Sequence, residues 1–162
     1  RAFGENHPIL ASNYNNLATL YADQHEFNKA LEYHKKALKI QLSYSGGKPL
    51  DVADSYYNMG TLYHDQLDFK KALENHHKAL KIRIQVLGQN HPDVSKSYRC
   101  ISRIFQQLNL KKRSISNSQK SLAIKLNIFG REHQSSQILL RELSRLSMNY
   151  DCVKDIDCNF DY

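Results

Sequence analysis

One segment of this chain is written three times at a fixed step. Tyr14-Asn15-Asn16-Leu17-Ala18-Thr19-Leu20-Tyr21 returns 42 residues later as Tyr56-Tyr57-Asn58-Met59-Gly60-Thr61-Leu62-Tyr63. It returns again, more loosely, as Tyr98-Arg99-Cys100-Ile101-Ser102-Arg103-Ile104-Phe105. A second block, Ala30-Leu31-Glu32-Tyr33-His34 through Ile40, recurs at the same step from Ala72 to Ile82. A period of this size marks stacked units, none of which can bury its apolar face alone. The chain therefore reads as an all-α stack of helix pairs.

Each unit reads as two helices, A then B, because apolar and small residues recur at three- and four-residue steps. The A helices are expected over about Pro8–Asp23, Leu50–Gln66 and Pro92–Gln107. The B helices are expected over about Phe27–Leu42, Phe69–Leu87 and Leu110–Ile128. A start signal, Phe3-Gly4-Glu5-Asn6-His7-Pro8, returns as Leu87-Gly88-Gln89-Asn90-His91-Pro92 and as Phe129-Gly130-Arg131-Glu132-His133-Gln134. A fourth A-type helix, about Gln134–Met148, should follow the last of these. Residues 1–150 thus read as one repeat domain, with units at about 8–42, 50–87 and 92–128 and a final helix at 134–148. Residues 151–162 read as an acidic tail. Small residues share register positions: Ala18, Gly60, Ser102 and Ser144 in the A helices, and Ala30/Ala72/Ser114 and Ala37/Ala79/Ser121 in the B helices. They let helix axes approach while larger neighbours fill the gaps.

No apolar run reaches the ~20 residues of a spanning helix. The chain begins at Arg1 rather than Met and is read as a piece of a longer protein. Three cysteines, Cys100, Cys152 and Cys158, do not make a disulfide framework, so a reducing, cytoplasmic setting is expected. The net charge of +7 is unevenly placed. Residues 93–150 hold 11 basic and 3 acidic side chains, whereas residues 1–92 hold 11 and 9.

Leu17, Ala18, Tyr21, Phe27, Ala30, His34 and Ala37 stand at the spacing of the tetratricopeptide-repeat signature. The period and the Gly-x-x-His-Pro turn before helix A resemble its kinesin-light-chain-like and nephrocystin-3-like subgroup. The resemblance covers residues 3–148. It implies a right-handed α-α superhelix with the A helices lining a concave groove that holds a partner's peptide. Repeat 3 departs from the signature at Ser114, Ser118 and Ser121. The A–B turn departs at His25, Leu67 and Asn109, where the family has Gly. A left-handed backbone there strains His and Leu more than Asn.

No phosphate loop, nucleophile elbow or two-His metal motif is present, so no enzyme, cofactor or metal is expected. His34 and His76 stand at the signature's aromatic position and read as packed residues. His7, His91 and His133 read as helix caps. The Lys111-Lys112-Arg113 run reads as a solvated helix start.

By alignment the groove is lined by Ser12, Asn15, Asn16 and Thr19, then by Tyr57, Asn58, Thr61 and His64. Lys96, Arg99, Arg103 and Gln106 follow, and then Arg141, Arg145 and Met148. The resemblance implies that Asn16 and Asn58 hydrogen-bond ligand backbone, which an amide can do as donor and acceptor at once. Tyr57 is expected to wall an apolar side pocket. Arg99/Arg103 and Arg141/Arg145 are i, i+4 pairs at equivalent positions of neighbouring A helices. Four guanidiniums on one groove call for an anion among them. The expected function is a non-catalytic scaffold or adaptor binding an extended acidic peptide. The alternatives are nucleic-acid binding through the same basic face, and regulatory repeats of a larger enzyme. A chaperone-type carboxylate clamp is incomplete, since Asn15 and Thr19 stand where its first Lys and Asn belong. The tail, with Phe160 and Tyr162, is a candidate internal competitor for the groove.

Overall fold

The computed structural model of the chain describes residues 8–43 and 48–148. Among these residues seven helices form: α1 (Pro8–Asp23), α2 (Phe27–Ser43), α3 (Pro49–Asp65), α4 (Phe69–Leu87), α5 (Pro92–Gln107), α6 (Lys111–Phe129) and α7 (Gln134–Met148). They pack as the pairs α1/α2, α3/α4 and α5/α6, and the pairs stack through α2/α3, α4/α5 and α6/α7. Helix α3 also touches α5, which sets the A helices side by side along one face. The result is an all-α helical repeat.

Local chemistry sets the helix ends. Pro49 and Pro92 open α3 and α5, where a missing N–H leaves no bond unmade. The His91 Nδ1 accepts the Asp93 N–H at 3.2 Å, and the His133 Nδ1 accepts the Ser135 N–H at 3.2 Å. Both side chains therefore cap, as their place in the start signal suggests; His7 lies outside the described residues. Gly88 and Gly130 end α4 and α6 at φ of +80° and +76°, a backbone that disfavours any Cβ.

The three A–B turns keep the left-handed backbone without glycine. His25, Leu67 and Asn109 stand at φ of 60°, 61° and 58°. Each turn closes with the same two bonds. In the second, the Leu67 N–H meets the His64 carbonyl at 2.9 Å and the Asp68 N–H meets the Tyr63 carbonyl at 2.8 Å. This double bond satisfies two carbonyls that a helix end leaves bare, which holds the strained residue in place.

Ala18, Ala30, Ala37, Ala53, Ala72 and Ala79 are fully buried between helices. Leu31, Met59 and Leu62 form one apolar cluster around them; Leu80, Val94, Ile101, Phe105 and Ile124 form another. Repeat 3 replaces small apolar contacts by hydroxyl pairs. Ser95 and Ser121 bond each other's backbone carbonyls at 2.9 and 3.0 Å, with their hydroxyls 2.8 Å apart. The Ser102 Oγ lies 3.0 Å from Ser114 Oγ and 2.7 Å from Ser118 Oγ. Every one of these buried hydroxyls has a partner, so the polar seam does not leave an unmet bond. Ser144 shares the sequence register of Ala18 but is exposed, because no following B helix covers it among the described residues.

Candidate functional site

The A-helix face is built from three register positions repeated at 42-residue steps. The first carries Asn15, Tyr57, Arg99 and Arg141; the second Asn16, Asn58, Cys100 and Glu142; the third Thr19, Thr61, Arg103 and Arg145. Side chains four apart on a helix share a face, so the first and third positions point together.

In α1, Asn15 is half-buried and its Oδ1 accepts a hydrogen bond from His34 Nδ1 at 2.9 Å. Asn16 is exposed beside it. In α3, Tyr57 is enclosed on several sides. His76 meets its ring edge-on with centroids 5.2 Å apart, and the Arg83 guanidinium lies 4.5 Å over the ring. Its hydroxyl stands 3.3 Å from Cys100 Sγ. Burial pushes that hydroxyl well above the ordinary phenol range, the Cys100 thiol adds to this, and Arg83 and Arg103 oppose it. The side chain is thus held by neighbours rather than standing as an open pocket wall. Asn58 is half-buried, and Thr61 is exposed with its hydroxyl donating to the Tyr57 carbonyl at 3.2 Å.

The packing under Tyr57 depends on Gly60. A Cβ there would sit 3.0 Å from three atoms of the His76 ring. The buried His76 has no partner for Nδ1, and burial, with the charges of His64, Arg83 and His77 adding, lowers it to about 4. It is neutral at physiological pH.

Helices α5 and α7 carry the charge. Arg99 donates to Glu142 Oε1 at 2.7 Å, and both are partly exposed. Glu142 occupies the register of Asn16 and Asn58. An internal carboxylate takes one of the four guanidiniums, so an anion of the protein's own already stands among the arginines. Lys125 of α6 completes the group. Burial lowers its pKa first, the Arg99 charge lowers it further, Glu142 opposes this, and Lys96 adds to the lowering. Lys96 itself donates to Asp93 Oδ1 at 2.9 Å. Arg103, Arg141 and Arg145 are exposed, and no described carboxylate pairs with them. Gln106 is exposed nearby, the Met148 side chain is outside the description, and so is the tail with Cys152 and Cys158.

Arg83 is the residue that reading along the chain passes over. It is 5% exposed and bridges three helices. Its guanidinium donates to Asp54 Oδ1 at 2.7 Å, Ser97 Oγ at 2.9 Å and the Asp93 carbonyl at 3.2 Å. Gln41 and Lys125 stand at the same place in the other B helices. A polar residue recurring there at 42-residue steps was the available signal. Among the described residues no cluster of His, Cys, Asp and Glu is placed to hold a metal, and no helix is long and apolar enough to cross a membrane.

Stacked antiparallel helix pairs with a register-built face define a helical-repeat protein. The tetratricopeptide repeat profile matches residues 1–43 and 51–145, and the chain belongs to that family. Members of this family serve generally as protein-interaction scaffolds without catalysis. No curated protein matches the chain. Among solved structures, BtubC (BKLC) of P. vanneervenii superposes with a TM-score of 0.72 at 18% identity, covering 96% of this chain and 70% of that one. A kinesin-light-chain-type protein of Podosopora anserina with nearly identical TPR-like repeats gives 0.73 at 20% identity, covering 90% and 69%. The N-terminal domain of stress-induced protein-1 (STI-1) from C. elegans gives 0.67 at 16%, covering 90% and 99%. At these identities the likeness is one of fold, and the structural neighbours include kinesin-light-chain-like repeat proteins.

Proposed function

We propose that this chain is a non-catalytic cytoplasmic adaptor whose repeat domain, over residues 1–150, binds an extended acidic segment of a partner protein along the A-helix face. Asn16 and Asn58 take ligand backbone. Lys96, Arg99, Arg103, Arg141 and Arg145 take its carboxylates, with Tyr57 and Thr61 on the stretch of the face between the two regions. One observation carries this reading: Arg103, Arg141 and Arg145 project exposed from neighbouring A helices, and no described carboxylate pairs with them. Such a cluster lowers its own repulsion by binding an anion, and guanidinium fits carboxylate bidentately.

The test is an array of acidic, neutral and basic peptides probed with the wild type and with Arg103→Glu/Arg145→Glu. Acidic peptides should bind the wild type and weaken with salt, and the charge-reversed variant should lose them. Retention of acidic peptides by the variant refutes the reading. Selective loss of RNA or DNA, with no acidic peptide bound by either protein, refutes it in favour of nucleic-acid binding.

A further inference from the structure

Repeat 3 lacks two acidic residues that the other repeats keep at the start of their B helices. Glu26, just before α2, pairs with Lys29. Asp68 caps α4, accepting the Lys71 N–H at 3.1 Å and the Lys71 Nζ at 2.7 Å. The same place before α6 holds Leu110, which makes no side-chain cap. Further along the B helix, Glu32 and Glu74 are matched in repeat 3 by Ser116. Helix α6 thus has no Asp or Glu, while Lys111, Lys112 and Arg113 open it. Cations in the first turn oppose the positive end of the helix dipole, and the bare N–H groups there have no side-chain acceptor. The start of α6 has less to hold it closed than the starts of α2 and α4.

Ser116 nevertheless stands in the surroundings of a carboxylate. Glu32 pairs with Lys36, four residues on, at 2.6 Å. Lys71 is raised most by Asp68, and Tyr63 and the Glu74 charge, three residues on, add to this. Repeat 3 keeps both cations around Ser116, as Lys120 at i+4 and Arg113 at i−3, and has Lys112 at i−4. All four side chains are exposed. Arg113 lies 5.7 Å over the Phe105 ring and Lys120 5.5 Å over the Tyr98 ring, which seats both on the surface beside the serine. The neighbouring serines differ. Ser114 and Ser118 are buried, and both bond the Ser102 hydroxyl.

We infer that Ser116 is a phosphorylation site for a basophilic serine kinase, and that its phosphate takes the place in repeat 3 that Glu32 and Glu74 hold in repeats 1 and 2. Lys111, Lys112 and Arg113 precede it by five, four and three residues, a charge pattern that an acidic kinase cleft reads. Opening of the weakly held first turn presents this run in extended form. The Ser116 oxygen forms a bond to the γ-phosphorus of ATP, and the bond from that phosphorus to the bridging oxygen breaks. ADP leaves with the electron pair, and the hydroxyl proton passes to the base of the kinase. The phosphate, with a charge of about −2, then pairs with Lys112, Arg113 and Lys120 on one helical face. Modification thereby closes the start of α6. The site lies on a B helix and does not depend on the A-helix face proposed for the acidic peptide.

The test incubates the full chain with ATP and a purified basophilic serine kinase of the type that reads arginine three residues before its serine. Mass spectrometry should place one phosphate on Ser116. Arg113→Ala should slow its incorporation at least tenfold, and Ser116→Ala should abolish it. The phosphorylated chain should melt about 2 °C or more above the unmodified one. With Lys120→Ala, phosphorylation should raise the midpoint by less. The inference is overturned if no phosphate enters, if it enters at Ser114 or Ser118 instead, or if Arg113→Ala leaves the rate unchanged. An unchanged or lowered midpoint on phosphorylation equally overturns it, since the phosphate then does not stand in for the missing glutamate.

Discussion

Replacing His34 by glutamine and His76 by leucine should remove most of this fold's sensitivity to mild acid. The two rings lie beneath the A-helix face, 2% and 1% exposed. Burial lowers His34 from 6.5 to about 4, and burial with neighbouring positive charges lowers His76 equally. At neutral pH both rings are uncharged whether the chain is folded or not. As pH falls through 6.5 the unfolded chain binds protons that the folded chain cannot, so stability is lost until about pH 4 and then levels. From these values each histidine removes about 2 kcal/mol at pH 5 and about 3 kcal/mol below pH 4. The pair therefore removes about 4 kcal/mol at pH 5, a large share of the roughly 5–15 kcal/mol of a typical domain. The carboxylates held low by lysines, Glu32 by Lys36 and Asp68 by Lys71, contribute stability that is lost only below their ordinary values of 4.5 and 3.8. A comparison of pH 7.5 with pH 5 thus isolates the histidines. The assay is urea unfolding by circular dichroism at those two pH values. Wild type should lose about 4 kcal/mol between them and the double variant about 1 kcal/mol or less. An equal loss in both proteins would refute the reasoning.

Two further outcomes follow from single residues. Glu142→Gln frees Arg99 from its internal carboxylate, so acidic peptides should bind about three- to tenfold tighter and with a steeper salt dependence; calorimetric titration showing weaker binding would contradict this. Leu67→Gly relieves a left-handed leucine that is 68% exposed and so gives up little burial. It should stabilise the fold by about 1 kcal/mol and raise the melting midpoint by about 3 °C, whereas Asn109→Gly should gain less.

The helical-repeat fold was legible because its signals are local and periodic. Pro, His and Gly punctuate the helix ends, and small residues at 42-residue steps mark where axes approach. The left-handed turns at His25, Leu67 and Asn109 were legible only as a question, since their residue types argue against that backbone. The two bonds that hold it involve main-chain atoms that no residue type reports. At the candidate site the register was readable and the pairing was not. Arg99 and Glu142 lie 43 residues apart, and a lone glutamate among arginines carries no periodic mark. Arg83 was passed over for a related reason: a charged B-helix residue reads as solvated unless its partners on two other helices are known.

The structure explains how the A-helix face changes character while the stack beneath stays constant. Each face residue shares its register with one small A-helix residue and one B-helix residue, and the three vary together. In repeat 1 they are Asn15, Ala18 and His34, joined by the amide-to-imidazole bond. In repeat 2 they are Tyr57, Gly60 and His76, where the missing Cβ makes room for the ring and the tyrosine covers it edge-on. In repeat 3 they are Arg99, Ser102 and Ser118, where the ring is gone and two hydroxyls close the gap at 2.7 Å. A bare imidazole beneath Arg99 would lower neither charge nor volume. The serine seam needs no partner from the face and leaves the guanidinium free to reach Glu142. Exchanging one layer alone would leave either a clash at Gly60 or an unmet buried hydroxyl, each destabilising by about 1–3 kcal/mol. Face chemistry in this chain is therefore a property of three-residue sets rather than of single positions. A transplant of the basic face onto repeat 2 would need Tyr57, Gly60 and His76 changed together.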